Sequence, residues 1–228
     1  MTRIALMGFG RLGRNIFRIL MQRDDFTLAA ISDIADHSGL EYLLRYDTIL
    51  GRYPHEVSIK EGHLYTLGKQ IKMLSGRDPG DIKWSDHDVD VVIDATARSR
   101  TCAEHLKHIE AGAKKVLLLA PPVDEPDKTV IMGLNHDEVT REHKVISNSS
   151  ITAHCAAPIV KSIHDAFGIE RLFITSVHAY TNDQRLADVP SSDLRTSRAA
   201  GENIIPTQTG TARGLENLFP ELSDKISA

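Results

Sequence analysis

Arg3-Ile4-Ala5-Leu6-Met7-Gly8-Phe9-Gly10-Arg11-Leu12-Gly13-Arg14 opens the chain with a short, largely apolar run that leads into glycines at G-x-G-x-x-G spacing. An apolar run without alternation marks a strand buried on both faces of a parallel sheet. From Arg14 to Gln22 the apolar residues Ile16, Phe17, Ile19 and Leu20 fall at helical spacing. Phe26 to Ile31 reads as a second strand, and Asp33 stands just past it, 20 residues after Gly13. Strand, glycine loop, helix, strand and acid in that order are what a dinucleotide-binding βαβ unit requires. Gly8 permits the tight turn, Gly10 lets the backbone approach a pyrophosphate, and Gly13 lets helix and strand pack closely. The helix N-terminus offers free N–H groups to the phosphates. Asp33 accepts from a ribose hydroxyl and repels a 2′-phosphate, which favours NAD over NADP.

The same rhythm continues along the first half. Leu40 to Tyr53 reads as helix and then loop, with a turn at Asp47 to Gly51. Between His55 and Ser75, short alternating pieces predict a small antiparallel excursion. After a loop at Arg77 to Gly80, Val89 to Ile93 reads as a buried strand ending at Asp94-Ala95-Thr96, and Thr101 to Glu110 as a helix with Gly112 at its C-cap. Val116 to Leu119, Val130 to Met132 and Val145-Ile146 complete the expected strands. Alternating strands and helices give a doubly wound, mostly parallel sheet, with a cofactor at the carboxyl ends of the strands, where Gly8, Asp33 and Thr96 stand. Cys102, His105 and His108 have the look of metal ligands, but on a helix the third lies about 240° round from the first. A solvated helix face is the expectation there, and no metal is expected.

Composition sets the outer bounds. With 228 residues, 41% hydrophobic and 25% charged, the chain is long for one domain, short for two, and able to bury a sizeable core. A net charge of -4 and a pI near 6.2 give no reason to expect nucleic acid or an anionic membrane as partner. No apolar run approaches the ~18 residues of a membrane span, and no signal peptide is read before the first strand. Two cysteines are too few for a disulfide framework, so a cytoplasmic setting is expected.

Ser147 to Pro158 divides the halves. Ser149 or Ser150 can cap a helix from about Ile151 to Ala166, ended by Gly168. Ile151, Cys155, Ile159, Ile163 and Phe167 recur every four residues and predict one buried stripe, with Pro158 kinking the helix or loosening its first turns. A strand is expected over Leu172 to Val177, running into His178-Ala179-Tyr180-Thr181. The polar segment Asn182 to Glu202 is too long for a plain connector. A last helix is expected over Thr211 to Leu218.

Gly8 to Arg14 (GFGRLGR), Ala111 to Val116 (AGAKKV), Ser147 to Pro158, His178 to Arg185 (HAYTNDQR) and Ala199 to Gly210 (AAGENIIPTQTG) together resemble the phosphorylating glyceraldehyde-3-phosphate dehydrogenase family. The resemblance covers essentially the whole chain, and the erythrose-4-phosphate dehydrogenases are close relatives. It implies an α/β fold: a Rossmann-type NAD-binding domain over 1–149, then over 150–228 the N-terminal part of an α+β catalytic domain. In this family a cysteine attacks the substrate aldehyde, hydride passes to NAD, and inorganic phosphate cleaves the thioester. His178 matches the histidine that activates the cysteine. Gly8, Gly10, Arg11, Leu12, Gly13, Asp33, Arg77 and Thr96 match cofactor contacts, and Asn182 the residue facing the nicotinamide. Thr181 matches the holder of the substrate phosphate; Ser150, Thr152, Thr209 and Gly210 match the inorganic-phosphate site. Arg195 or Arg198 would serve one of those anions.

Two departures alter the expectation. Ile151 occupies the nucleophile position, and isoleucine has no lone pair with which to attack a carbonyl. Cys155 matches a second family cysteine about 6 Å further along the helix, expected in the core. The family also continues past Ala228 with most of the catalytic domain's sheet, a phosphate-binding arginine and a final helix. An incomplete second domain with an exposed apolar edge at Leu172 to Val177 is therefore expected. Three functions remain open: an NAD-binding homologue whose chemistry is lost or very weak, an aldehyde-phosphate dehydrogenase using a non-standard mechanism, and a non-catalytic assembly partner or decayed fragment. Self-association, or a chain supplying the missing part, is the expected partnership.

Overall fold

Strand β1 (Thr2–Met7) lies at the middle of a nine-stranded sheet and is buried on both sides. Its Ile4 and Leu6 enter one apolar cluster, while Ala5 and Met7 enter the other. Successive side chains of a strand point to opposite faces, so the unalternating run in the sequence is the mark of a two-sided core. The computed structural model describes residues 1–98, 100–182 and 184–228, which divide into the units Met1–Ser150 and Ile151–Ala228.

In the first unit, α1 (Arg11–Leu20) is followed by β2 (Phe26–Ser32), α2 (His37–Arg45) and a short hairpin of β3 (Tyr46–Asp47) with β4 (Gly51–Arg52). Next come β5 (Ser58–Lys60), β6 (His63–Thr66), β7 (Lys69–Leu74), β8 (Val91–Asp94), α3 (Cys102–Glu110), β9 (Lys115–Leu118), β10 (Lys128–Thr129) and β11 (Val145–Ser147). The strand order is β10-β11-β9-β8-β1-β2-β7-β6-β5. Pairing is parallel from β10 through β7 and antiparallel only where β6 and β5 extend the sheet. The predicted excursion is therefore the outer edge of the main sheet, joined to it through β7. Phe17 and Leu20 of α1 with Leu40 and Leu44 of α2 cover one face; Trp84 and the Ile109 side of α3 cover the other. Because β2 lies on one side of β1 and β8 on the other, the chain reverses direction across the sheet between β1 and β8. Ligands of doubly wound sheets bind above such a switch point.

One predicted strand is displaced. Residues 130–132 form no strand of their own; the edge strand is Lys128–Thr129, beside β11, and after it Val130 N still donates to the Ser147 carbonyl at 2.8 Å. Asn135 explains the bend: its Oδ1 accepts from Ile131 N at 2.9 Å and its Nδ2 donates to the Thr129 carbonyl at 3.0 Å, offering the backbone a local alternative to the ladder.

The second unit is helical at its core. Helix α4 (Ile151–Phe167) remains helical through Pro158, and α5 (Thr211–Leu218) packs on it. The predicted stripe is not the buried one. Ala153, Ala157 and Val160 are buried, whereas Ile151, Cys155, Ile159, Ile163 and Phe167 are exposed. The small residues let α5 approach closely, which leaves the isoleucines on the other side. The strand expected over 172–177 is reduced to β12 (Leu172–Phe173), paired in parallel with β13 (Ile226–Ser227). Beyond Ile174 no ladder continues among the described residues, and Phe173 and Val177 are 76% and 97% exposed. The long polar segment folds on itself: Ala200 N donates to the Arg185 carbonyl, Val189 N to the Ser197 carbonyl, and Ala199 N to Asp188.

Close packing of α1 against the β1 loop yields a clean test. A Cβ at Gly13 would lie 2.1 Å from the Gly8 carbonyl oxygen, while a Cβ at Gly10 meets nothing within 4 Å. Gly13→Ala is expected to destabilise the first unit by ~1–3 kcal/mol or more, through overpacking against backbone that cannot rotate away. Gly10→Ala is expected to cost under ~1 kcal/mol. Thermal melts of the two variants check this, and equal melting temperatures would contradict the packing argument.

Candidate cofactor cleft and substrate groove

A cleft of about 200 Å³ opens at the carboxyl ends of β1, β2, β7 and β8. Gly8, Gly10, Asp33, Arg77, Ala95 and Thr96 are among its lining residues. Gly8 has φ +93°, and a Cβ there would lie 2.8 Å from the Ala95 carbonyl carbon and Thr96 N. Only glycine combines that backbone with that approach. Asp33 braces the loop from beneath: its Oδ2 accepts from Phe9 N at 2.6 Å and its Oδ1 from Ala35 N at 2.8 Å. Each carboxylate oxygen keeps acceptor capacity for a ribose hydroxyl. Gly10 caps α1 with no side-chain hydrogen bond, and no acid occupies the first turn. The helix N-terminus therefore keeps its amides and positive dipole end for an anion. Donor set, open space over Gly10 and acceptor at Asp33 fit a dinucleotide. Arg11 and Leu12 stand exposed at the first turn of α1.

Beneath the cleft lies a cluster that the sequence reading placed in solvent. His105 and His108 are 2% and 0% exposed, and both face Asp94, itself 4% exposed at the end of β8. Asp94 Oδ2 lies 3.4 Å from His105 Nδ1, 3.8 Å from His108 Nε2 and 3.5 Å from an Arg100 nitrogen, distances of ion pairing rather than of good hydrogen bonds. Asp94 Oδ1 accepts from Thr96 N at 2.9 Å and Thr96 Oγ1 at 2.6 Å. The solvated face failed as a reading because α3 turns these histidines toward a carboxylate on a neighbouring strand. Cys102, one helical turn before His105, instead points its thiol at the Asp124 and Glu125 carbonyls; burial and Asp124 push that thiol up to about 12.

Asp94, His105 and His108 are close enough together to raise the question of a metal. Trp84 answers it. Its indole can only donate, and it does so to His108 Nδ1 at 3.0 Å. Nε2 of a neutral His108 must then carry the proton toward Asp94, so no lone pair is left for an ion. Burial by itself pushes the Asp94 carboxyl up, but the close imidazole N–H groups of His105 and His108 and the two hydrogen bonds from Thr96 outweigh it and hold the group far below the usual carboxylate range.

In the second unit a groove of about 460 Å³ is lined by Ile151, Thr152, Cys155, Ile159 and His178 among others. The predicted base and the predicted nucleophile position thus share one groove. His178 Nδ1 faces the Ala179 carbonyl at 2.7 Å; a carbonyl only accepts, so Nδ1 carries the proton and Nε2 keeps a lone pair. Cys155, expected in the core, is exposed on the same groove. The remaining predicted residues of this half do not line it. Thr181 N donates to Gln184 at 2.7 Å, Asn182 is exposed, and Asp183 of the same motif falls outside the described residues. Arg195 and Arg198 pair within their own loop with Asp193 and Asp188, both at 2.8 Å. Thr209 and Gly210 lead into α5, where Thr209 Oγ1 accepts from Thr211 N. Ser150 closes the first unit.

Sequence reasoning missed Asp94, Arg98 and Arg100, which line or support the cleft. The basic run Arg98-Ser99-Arg100 directly after a strand end was the available signal; Ser99 itself falls outside the described residues.

A pH dependence follows from Asp94. Its folded pKa lies below the unfolded value of ~3.9, so the unfolded chain takes up the proton first as pH falls. The stabilisation is complete above that value and is lost on acidification below it. Asp94→Asn is expected to lower stability at neutral pH by ~3 kcal/mol or more, since it leaves Arg100 buried with less compensation. It is also expected to flatten the acid limb below about pH 4. Parallel acid limbs in urea titrations of the two proteins would contradict this.

The sequence of both halves matches one family of known proteins. Residues 2–102 match the model described as "Glyceraldehyde 3-phosphate dehydrogenase, NAD binding domain", and residues 150–228 match the C-terminal domain of the same enzyme. Glyceraldehyde-3-phosphate dehydrogenase 1 of Bacillus cereus is 43% identical over 228 residues, covering 100% of this chain and 68% of that protein. The Geobacillus stearothermophilus enzyme is 44% identical over 99% of this chain and 68% of its own length. The Streptomyces coelicolor enzyme is 48% identical over 98% and 67%. With both halves matched by the family's models and 43% to 48% identity to its members over nearly the whole chain, the chain belongs to the glyceraldehyde-3-phosphate dehydrogenase family of NAD-dependent oxidoreductases.

Proposed function

We propose that this chain binds NAD while its phosphorylating oxidation of an aldehyde is lost or very weak. The observation that carries this reading is Ile151. It is 67% exposed at the start of α4, on the groove that His178 also lines. A thiol there would gain from the helix N-terminus and from a neighbouring imidazole, the two influences that make a reactive thiolate. An alkyl group gains nothing. Removing a covalent nucleophile costs on the order of 10⁴-fold or more. In this reading Gly8, Gly10, Arg11, Leu12, Gly13, Asp33, Arg77, Thr96 and Asn182 contact the cofactor. Ser150, Thr152, Thr181, Thr209, Gly210 and one of Arg195 and Arg198 are the remnant of the anion sites. Those anions are a sugar-phosphate aldehyde and inorganic phosphate.

A second reading, a dehydrogenase with a displaced nucleophile, is favoured by the exposure of Cys155 on the same groove. It is the weaker one, because Cys155 lies a full turn along α4, about 6 Å from the helix start. A non-catalytic role in assembly fits the exposed Ile159, Phe173 and Val177, which another copy or a chain supplying further strands would cover. Both cysteines are free, in keeping with a cytoplasmic setting, and no described helix is long and apolar enough to cross a membrane.

NADH formation from glyceraldehyde-3-phosphate, NAD and inorganic phosphate tests these readings. The chain is expected to run at least ~10⁴-fold below ordinary family members, with Cys155→Ser leaving the rate unchanged. Ile151→Cys is expected to create a thiol that iodoacetamide alkylates ~10-fold faster than Cys155, and His178→Asn to remove that advantage. A family-like rate in the unmodified chain would overturn the proposal; loss of residual rate in Cys155→Ser would favour the second reading.

A further inference from the structure

Arg100 follows β8, in a loop over the sheet, yet its side chain is only 5% exposed. Such a guanidinium must be well paired to be tolerated. Its NH1 donates to Thr96 Oγ1 at 3.1 Å and lies 3.5 Å from Asp94 Oδ2. Its NH2 donates to the Arg77 carbonyl at 2.9 Å and to Asp78 Oδ1 at 3.0 Å. One buried fork thus ties the loop after β7 to the loop after β8. Both loops line the cleft, the first through Gly76 and Arg77, the second through Ala95, Thr96 and Arg98. Among the described residues a second side-chain link joins them, Arg98 to Asp78 at 3.2 Å, with side chains 42% and 57% exposed. Exposed pairs of that kind hold little.

We infer that Arg100 is a positioning residue for the dinucleotide, fixing the separation of the two loops between which the cofactor is received. The inference rests on the cleft being the NAD site. Arg100 does not line the cleft; it acts through Thr96 and the Arg77 backbone, which do. A planar five-donor group can satisfy a hydroxyl, a carboxylate and a carbonyl on two loops at once, and an ammonium cannot. Without the fork the loops sample wider separations, the competent arrangement becomes a minor fraction, and apparent affinity falls by that fraction. Asp94 completes the arrangement by holding Thr96 from the opposite side through its Oδ1.

Calorimetric titration of the whole chain with NAD is the test. Trp84 is fully buried against His108 and does not line the cleft, so its fluorescence is a poor reporter. Arg100→Met is expected to weaken NAD binding tenfold or more at unchanged folded fraction. Arg100→Lys is expected to lose less, because it keeps the charge and part of the donor set. Asp78→Ala with Arg100→Met is expected to bind no more weakly than Arg100→Met alone, since Asp78 holds Arg100 without lining the cleft and two members of one path are non-additive. A merely structural role would give independent, additive losses. If Arg100→Met does not fold, Arg100→Lys carries the test with an expected loss of threefold or more. An Arg100 variant that binds NAD like the unmodified chain, or strict additivity with Asp78→Ala, would overturn the inference alone. An unmodified chain that gives no heat with millimolar NAD would instead overturn the cleft reading beneath it.

Discussion

Asp94 is an ionised carboxylate with almost no water beside it, at the end of a central strand. A charge so placed is tolerated only when donors converge on it, and here they come from three directions: Thr96 in its own loop, His105 and His108 on α3, and Arg100 between them. Each donor is thereby fixed as firmly as the acceptor. The glycine loop after β1 reaches its geometry against this same wall, since Gly8 packs on the Ala95–Thr96 peptide with no room for a methyl group. Backbone close enough to receive a pyrophosphate, and the rigidity to keep it there, are thus consequences of one buried charge and its partners.

The two halves differ in how completely the groups present satisfy one another. In the first, every layer from the two-sided core to the braced Asp33 points to a dinucleotide. In the second, the groove holds a histidine with a free Nε2, a threonine and a helix start, the surroundings that activate a thiol, around a residue with no thiol. Under the function proposed above, that setting without its reactive atom goes with cofactor binding kept and acyl transfer lost.

Much of the first half was legible in the sequence because its signals are local and mutually consistent: an apolar run for β1, three glycines, a helical period and an acid after β2. The doubly wound, mostly parallel sheet followed from the alternation of strands with helices. What escaped was long-range in origin. The burial of His105 and His108 depends on a carboxylate 11 and 14 positions earlier, on another element, and no periodicity encodes that. The isoleucine stripe of α4 misled because a four-residue repeat drifts round a 3.6-residue helix, and the alanine side, which admits α5, carries little hydrophobic signal of its own. Residues 175–177 have strand-like composition but no neighbouring ladder among the described residues, and a strand exists only as one of a pair. In the substrate half, Ile151 with His178 was legible, whereas the self-pairing of Arg195 and Arg198 was not.

Hydrogen–deuterium exchange of the whole chain with and without NAD tests the central claim most directly, because it reports which backbone is held. NAD is predicted to slow exchange in residues 9–14, the loop after β7 at 76–78 and the loop after β8 at 95–98, and to leave the outer strands β5 and β6 unchanged. Exchange unaltered in all three cleft segments at saturating NAD would contradict the account.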